Sequence, residues 1–111
     1  MTIRVVTAPY RGLDGYFIGR PGVLASPFNI GLHGKRMAVI EKYRSWLWNQ
    51  IKKEDPIVMD ELNRLLELWR GEGRLSLVCF CAPSPCHGDV IASALKWLDE
   101  RSHLAKAQES P

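Results

Sequence analysis

The sequence predicts a small single α/β domain, with a short, largely parallel sheet flanked by three helices in a Rossmann-like three-layer arrangement. Three observations lead there. Two short strand-like runs, the β-branched IRVVT at residues 3–7 and the largely apolar LSLVCF at residues 75–80, are separated by segments whose apolar residues recur at helical spacing. The connections are long, as parallel strands require and hairpins do not. A chain of 111 residues, 46% hydrophobic and 24% charged, has apolar surface for one core and little to spare.

Taken in order, IRVVT is a buried strand ended by Ala8-Pro9. From Tyr10 to Gly34 the chain is rich in Gly and Pro, and only YFIG at residues 16–19 resembles a further short strand. A loop of that length inside a compact domain points to function. Over residues 35–53, Met37, Ile40, Tyr43, Leu47 and Ile51 follow a helical period and leave Glu41, Lys42 and Arg44 to solvent. Asp55 then supplies an N-cap and Pro56 a first helical residue, so a second helix runs to about Arg70 through Met59, Leu62, Leu66 and Trp69 and stops at Gly71 and Gly73. LSLVCF is the second convincing strand. A third helix covers about residues 85–101, with Val90, Ile91, Ala94 and Leu98 on one face. The domain therefore spans residues 1–101, and residues 102–111, SHLAKAQESP, lack an apolar period and are expected to fray.

Composition narrows the function classes. The opening MTIRVVTAPY lacks the apolar run of a signal peptide, and no run approaches the roughly 18 residues of a membrane helix. Three cysteines cannot all pair within one chain. A cytoplasmic protein with reduced thiols and no membrane partner is the expectation. The net charge is +3, but the basic residues, including Lys35, Arg36, Lys42, Arg44, Lys52 and Lys53, are interleaved with glutamates, which gives poor support for nucleic-acid binding.

The chemistry gathers in LVCFCAPSPCHGDV, residues 77–90, where all three cysteines and one of three histidines fall within nine positions. Ser84-Pro85 is a helix-start signal, which puts Cys86, His87 and Gly88 in the first turn. Amides there carry the positive end of the helix dipole and form an anion site, and Gly88 would let a ligand approach without meeting a side chain. The same dipole favours a thiolate, which marks Cys86 as the reactive cysteine, and Cys86 or His87 would contact or attack the reactive part of a ligand; no paired acid and base is identifiable. Cys81 and Asp89 complete the turn, Asp89 either orienting His87 or contacting a ligand hydroxyl.

A rival set of zinc ligands is Cys79, Cys81, Cys86 and His87. Its composition suits zinc and its spacing does not. Side chains two apart on a strand stand about 7 Å from each other, whereas two thiolates bound at about 2.3 Å to a tetrahedral zinc sit nearer 4 Å. Adjacent helical residues such as Cys86 and His87 diverge by roughly 100°. The geometry therefore disfavours zinc, and Cys79 reads as a small buried hydrophobe between Val78 and Phe80. No cofactor is assigned.

In the long loop, Gly19-Arg20 and Pro21-Gly22 can present a guanidinium for bidentate contact with a phosphate or carboxylate. Pro27-Phe28 reads as an anchor packed into the core. The four tryptophans fall in helices and read as core or partner-facing.

YFIGRPGVLASPFNIG followed by CFCAPSPCHGDVIASAL resembles the domain-of-unknown-function family 4326, small proteins of phages and bacteria. The likeness runs from Tyr16 to about Leu98 and includes EKYRSWL. It implies a glycine-arginine loop leading to Asn-Pro-Phe and a terminal C-x-C-x-P-x-x-C-H-G-D turn. Ser26 stands where the family has Asn before Pro-Phe, so Ser26 or Asn29 would take over that role. The family implies a site and no reaction.

These readings converge on a ligand-binding domain, or a minimal enzyme, that holds an anionic nucleotide-like molecule between the loop of residues 19–29 and the start of the third helix. Gly19, Arg20, Ser26, Asn29, Cys81, Gly88 and Asp89 would bind, and Cys86 and His87 would act on the ligand. The alternative is a phage-like accessory module that engages a host protein, its cysteine cluster structural, with or without zinc. Nucleic-acid binding is the weakest reading.

Overall fold

The computed structural model describes residues 2–10, 12, 15–19, 22–27, 31, 34–79 and 86–109, the last eight of these by backbone alone. Its elements in chain order are β1 (Thr2–Thr7), β2 (Gly15–Phe17), α1 (Arg36–Lys52), α2 (Pro56–Glu72), β3 (Arg74–Cys79) and α3 (His87–Glu109). The strands form one sheet in the order β1-β3-β2, with both pairings parallel. It is a small α/β domain with three helices and a parallel sheet, as its strand and helix periods predict.

The central strand β3 is buried from Leu75 to Cys79 on both faces, which is why it reads as a near-continuous apolar run. Helix α2 starts and stops where its punctuation says. The Asp55 carboxylate accepts a hydrogen bond from the Val58 N–H at 3.1 Å, and Gly73 takes a left-handed conformation at φ 76° while its N–H reaches the Trp69 carbonyl at 2.8 Å. In α1 the buried stripe is Val39, Ile40, Tyr43, Leu47 and Ile51. Met37 lies at its margin in the first turn and is 60% exposed, so Val39 replaces it in the core.

The layering departs from expectation. Residues paired across parallel strands share a face, so Val5 and Tyr16, both in register with Leu77, point the same way. The Tyr16 hydroxyl donates to Glu61 of α2, and Val5 packs beneath Gly88 of α3. Those two helices therefore cover one face together, and α1 lies against both of them. The other face carries no helix among the described residues. There the Arg4 Nε donates to Ser76 Oγ at 2.8 Å, and its terminal nitrogen donates to the Tyr10 hydroxyl at 2.6 Å. Right-handed crossovers that step in opposite lateral directions must use opposite faces. The β2-to-β3 crossover brings α1 and α2 to one face, and the β1-to-β2 crossover brings no helix to the other among the described residues.

The last helix is longer than its apolar period. It runs to Glu109, and Ala105, Lys106, Ala107, Gln108 and Glu109 are strong helix formers with no Gly or Pro among them. An ion pair between Arg70 Nε and Asp99 Oδ1, at 2.9 Å, ties α2 to α3. Among the described residues no helix is long and apolar enough to cross a membrane.

Candidate ligand site at the carboxyl edge of the sheet

All three strands end at one edge. The Ala8 N–H donates to the Cys79 carbonyl at 2.7 Å as the chain leaves β1, and the Ile18 N–H donates to the Val78 carbonyl at 3.0 Å as it leaves β2. Helix α3 begins at the same edge, seven residues beyond Cys79 by its Cys86 cap. The crevice outside the carboxyl ends of parallel strands is where ligands of open α/β sheets collect.

The loop after β2 is held at this edge by its own residues. Two successive turns, with the Gly22 N–H on the Gly19 carbonyl at 3.0 Å and the Ala25 N–H on the Gly22 carbonyl at 3.1 Å, wind it back toward the domain. Ile18 and Leu24 are its anchors, each 1% exposed. Of the expected Pro27-Phe28 anchor, Pro27 is exposed and Phe28 lies outside the described residues. Two side chains then clamp the loop backbone. The Tyr43 hydroxyl donates to the Leu24 carbonyl at 2.7 Å, and His87 Nε2 sits 2.8 Å from the Ile18 carbonyl.

A carbonyl only accepts, so His87 carries its proton on Nε2 and its lone pair on Nδ1. Burial holds the imidazole pKa below its usual value, more strongly than the bond to Ile18 raises it. The ring is therefore neutral at pH 7, with Nδ1 as a proton acceptor. It meets Tyr43 edge-on at 5.0 Å between centroids. Burial, and secondarily the Cys86 charge, push the Tyr43 hydroxyl far above its ordinary range, so it stays a donor.

The first turn of α3 caps itself. The Asp89 carboxylate accepts from the Cys86 N–H at 3.2 Å, and Cys86 Sγ accepts from the Gly88 N–H at 3.3 Å. This is a variant of the capping box, with Cys86 where Ser or Thr is usual and Asp89 where Glu is usual, in which the sulfur takes the second-position amide of Gly88 in place of the third-position one. Asp89 is thus the orienting partner of Cys86's own backbone. The cap, Cys86, is two residues later than the Ser84-Pro85 signal suggests.

Two expectations for this turn change. Gly88 does not leave room for a ligand: a Cβ there would lie 2.9 Å from Ile18 Cδ1 and 3.0 Å from Val5 Cγ1, so its hydrogen is the space in which helix and sheet touch. Cys86 is also buried, at 3% exposure, with its sulfur 3.5 Å from that of Cys79. Of the four alternative zinc ligands, Cys79 and Cys86 are brought together and His87 turns its Nε2 to Ile18. Arg20, Asn29 and Cys81 lie outside the described residues. Gly19, which follows Ile18 directly, and the half-buried Ser26 belong to the clamped loop.

Sequence reasoning missed Tyr43 as a site residue and treated it only as core. Its place in EKYRSWL, among the residues that carry the family likeness, was the available signal. No curated protein and no solved structure matches the chain significantly. The family described as Domain of unknown function (DUF4326) matches residues 9–97, from the exit of β1 through the first half of α3, and the chain belongs to that family.

Proposed function

We propose that this chain is a cytoplasmic ligand-binding domain that takes an anionic, nucleotide-like small molecule at the carboxyl edge of its sheet. The observation that carries the reading is the bond from His87 Nε2 to the Ile18 carbonyl, which supports joining the glycine-arginine loop and the C-H-G-D turn in one site. His87 then offers Nδ1 as proton acceptor to a ligand hydroxyl or ring nitrogen. The amides of Cys86 and Gly88 already have partners within the turn, so the anion falls to Arg20, the next residue after Gly19. Thermal shift against nucleoside phosphates and sugar phosphates tests this, because a ligand that binds only the folded state raises Tm. At least one of these should stabilise the wild type, and Arg20→Ala should weaken it by about 10- to 150-fold, the scale of a charge-assisted hydrogen bond of roughly 1.5–3 kcal/mol. A stabilising ligand indifferent to both Arg20→Ala and His87→Asn would refute the site.

A second reading has an observation of its own. Between α1 and α3 lies an open cavity of about 730 Å³ lined by Arg44, Lys52, Arg101 and Glu54 around Trp48 and Trp97. The two indoles meet edge-on at 5.1 Å, and the Arg101 guanidinium lies 5.1 Å over Trp97. Exposed aromatic and arginine side chains are the residues that anchor protein interfaces. This favours the accessory-module reading, in which the helices engage an acidic partner segment. Unchanged indole fluorescence on titration with an acidic, leucine-containing peptide would count against it.

A further inference from the structure

We propose that Cys79 and Cys86 form a redox-active dithiol that hydrogen peroxide converts to a disulfide. The proposal uses the two thiols and their surroundings and is independent of the ligand reading. Cys79 is the last residue of the central strand and Cys86 caps the last helix, and their sulfurs lie 3.5 Å apart. A disulfide needs about 2.05 Å, so closure requires a displacement of about 1.5 Å shared between two side chains. Both thiols are buried, at 2% and 3% exposure, which admits a small oxidant more readily than a bulky alkylating agent.

The two sulfurs are not equivalent. Cys86 Sγ accepts the Gly88 N–H and sits at the positive end of the α3 dipole, an environment that favours its thiolate. Cys86 is therefore the attacking group. Its thiolate displaces hydroxide from peroxide to give a sulfenic acid, and the displaced hydroxide takes up a proton to become water. The Cys79 thiolate then displaces the sulfenic hydroxyl, which leaves as a second water when the Cys79 proton is counted. Two thiols lose two electrons and two protons, and one peroxide is reduced to two waters. The bond that forms joins the end of β3 to the start of α3, one residue from His87.

The sequence between the cysteines makes the test specific. No Lys or Arg lies between Arg74 and Lys96, so trypsin leaves all three cysteines on one peptide, whereas chymotrypsin cuts after Phe80 and separates Cys79 from Cys81 and Cys86. Purified protein is treated with peroxide at neutral pH, denatured, alkylated and digested. The expected result is a mass loss of about 2 Da, one alkylated cysteine and two fragments joined across Phe80. Cys81→Ser should form the same crosslink with no cysteine left to alkylate. Cys86→Ser and Cys79→Ser should not close. Mapping of the wild type and Cys81→Ser decides the matter even if the other two variants do not fold. A loop confined to Cys81 and Cys86, a crosslink lost in Cys81→Ser, oxidation to sulfinic acid without a crosslink, or thiols that resist peroxide while the protein is folded would each overturn the proposal. So would thiols that react only after a chelator has stripped a metal from them.

Discussion

Replacing Gly88 with alanine adds one methyl group at the tightest point between α3 and the sheet. That carbon would stand 2.9 Å from Ile18 Cδ1 and 3.0 and 3.1 Å from the two γ carbons of Val5. Carbon atoms pack best at about 3.5–4.0 Å, so every one of these contacts is compressed. The Ile18 methyl is the end of a flexible side chain and can swing aside. The Val5 methyls cannot, because the β-branch of a strand residue fixes them. Overpacking of this kind costs about 1–3 kcal/mol. Alanine's better helix propensity offsets at most about 1 kcal/mol, and less in a first turn than in a helix interior. The expected net loss is about 1–2 kcal/mol, read as a lower midpoint in urea unfolding at unchanged m and as a Tm lowered by roughly 4–10 °C. A double-mutant cycle sharpens the test. Ile18→Val alone should cost about 0.5–1.5 kcal/mol, and in the Gly88→Ala background it should cost less by at least about 0.5 kcal/mol, because it removes the methyl that the new carbon strikes. If Gly88→Ala is neutral or stabilising, the glycine faces open space and the packing argument fails. Strict additivity would show that Ile18 is not the atom in the way.

The remaining predictions concern the clamp on the loop. His87 is held neutral by burial, so the folded state binds its proton less readily than the unfolded chain does. Its contribution to stability is complete above about pH 6.5 and is lost as pH falls from there toward the folded value, with a limiting slope of about 1.4 kcal/mol per pH unit. Urea unfolding from pH 8 to pH 5 should show that decline in the wild type and a flatter profile in His87→Asn; superimposable profiles would sink the assignment. Tyr43→Phe strips the donor from the buried Leu24 carbonyl and should cost about 1–3 kcal/mol. Hydrogen exchange should at the same time quicken at the Ala25 amide, whose turn the clamp supports, and a variant as stable as the wild type would show that the loop holds itself.

What the sequence made legible was local. Asp55, Pro56 and Gly73 act on residues within a few positions of themselves, so both ends of α2 could be placed from their chemistry. Parallel pairing followed from the length of the connections. The missed features depend on residues far apart in the chain. Gly88 is filled by Val5, which precedes it by most of the molecule, and the Tyr43 hydroxyl bonds a backbone carbonyl that no side-chain pattern announces. Burial of Cys86 has the same origin, since the dipole argument locates a thiol at a helix start and says nothing about what covers it. The small α/β fold was legible, but which face each helix covers was not, because that depends on which crossover carries a helix, and among the described residues the β1-to-β2 crossover carries none. The length of α3 was not legible from apolar period, which marks where a helix is buried and ends near Leu98, whereas the helix runs to Glu109.

The register of the sheet also bears on how the chain reaches its fold. Among the described residues β1 pairs with β3 alone, Thr2 with Arg74 through Thr7 with Cys79, and β2 pairs with the same strand from the other side. A chain cut before residue 74 would hold two strands with no neighbour and no sheet at all. During synthesis the α1–α2 pair, whose contacts are close in sequence, is able to form while the first strand waits for the last. Separations of this size raise contact order and slow folding, and they keep an apolar N-terminal segment unpaired until the end. The candidate site, built where all three strands stop, is therefore among the last parts of the molecule to exist.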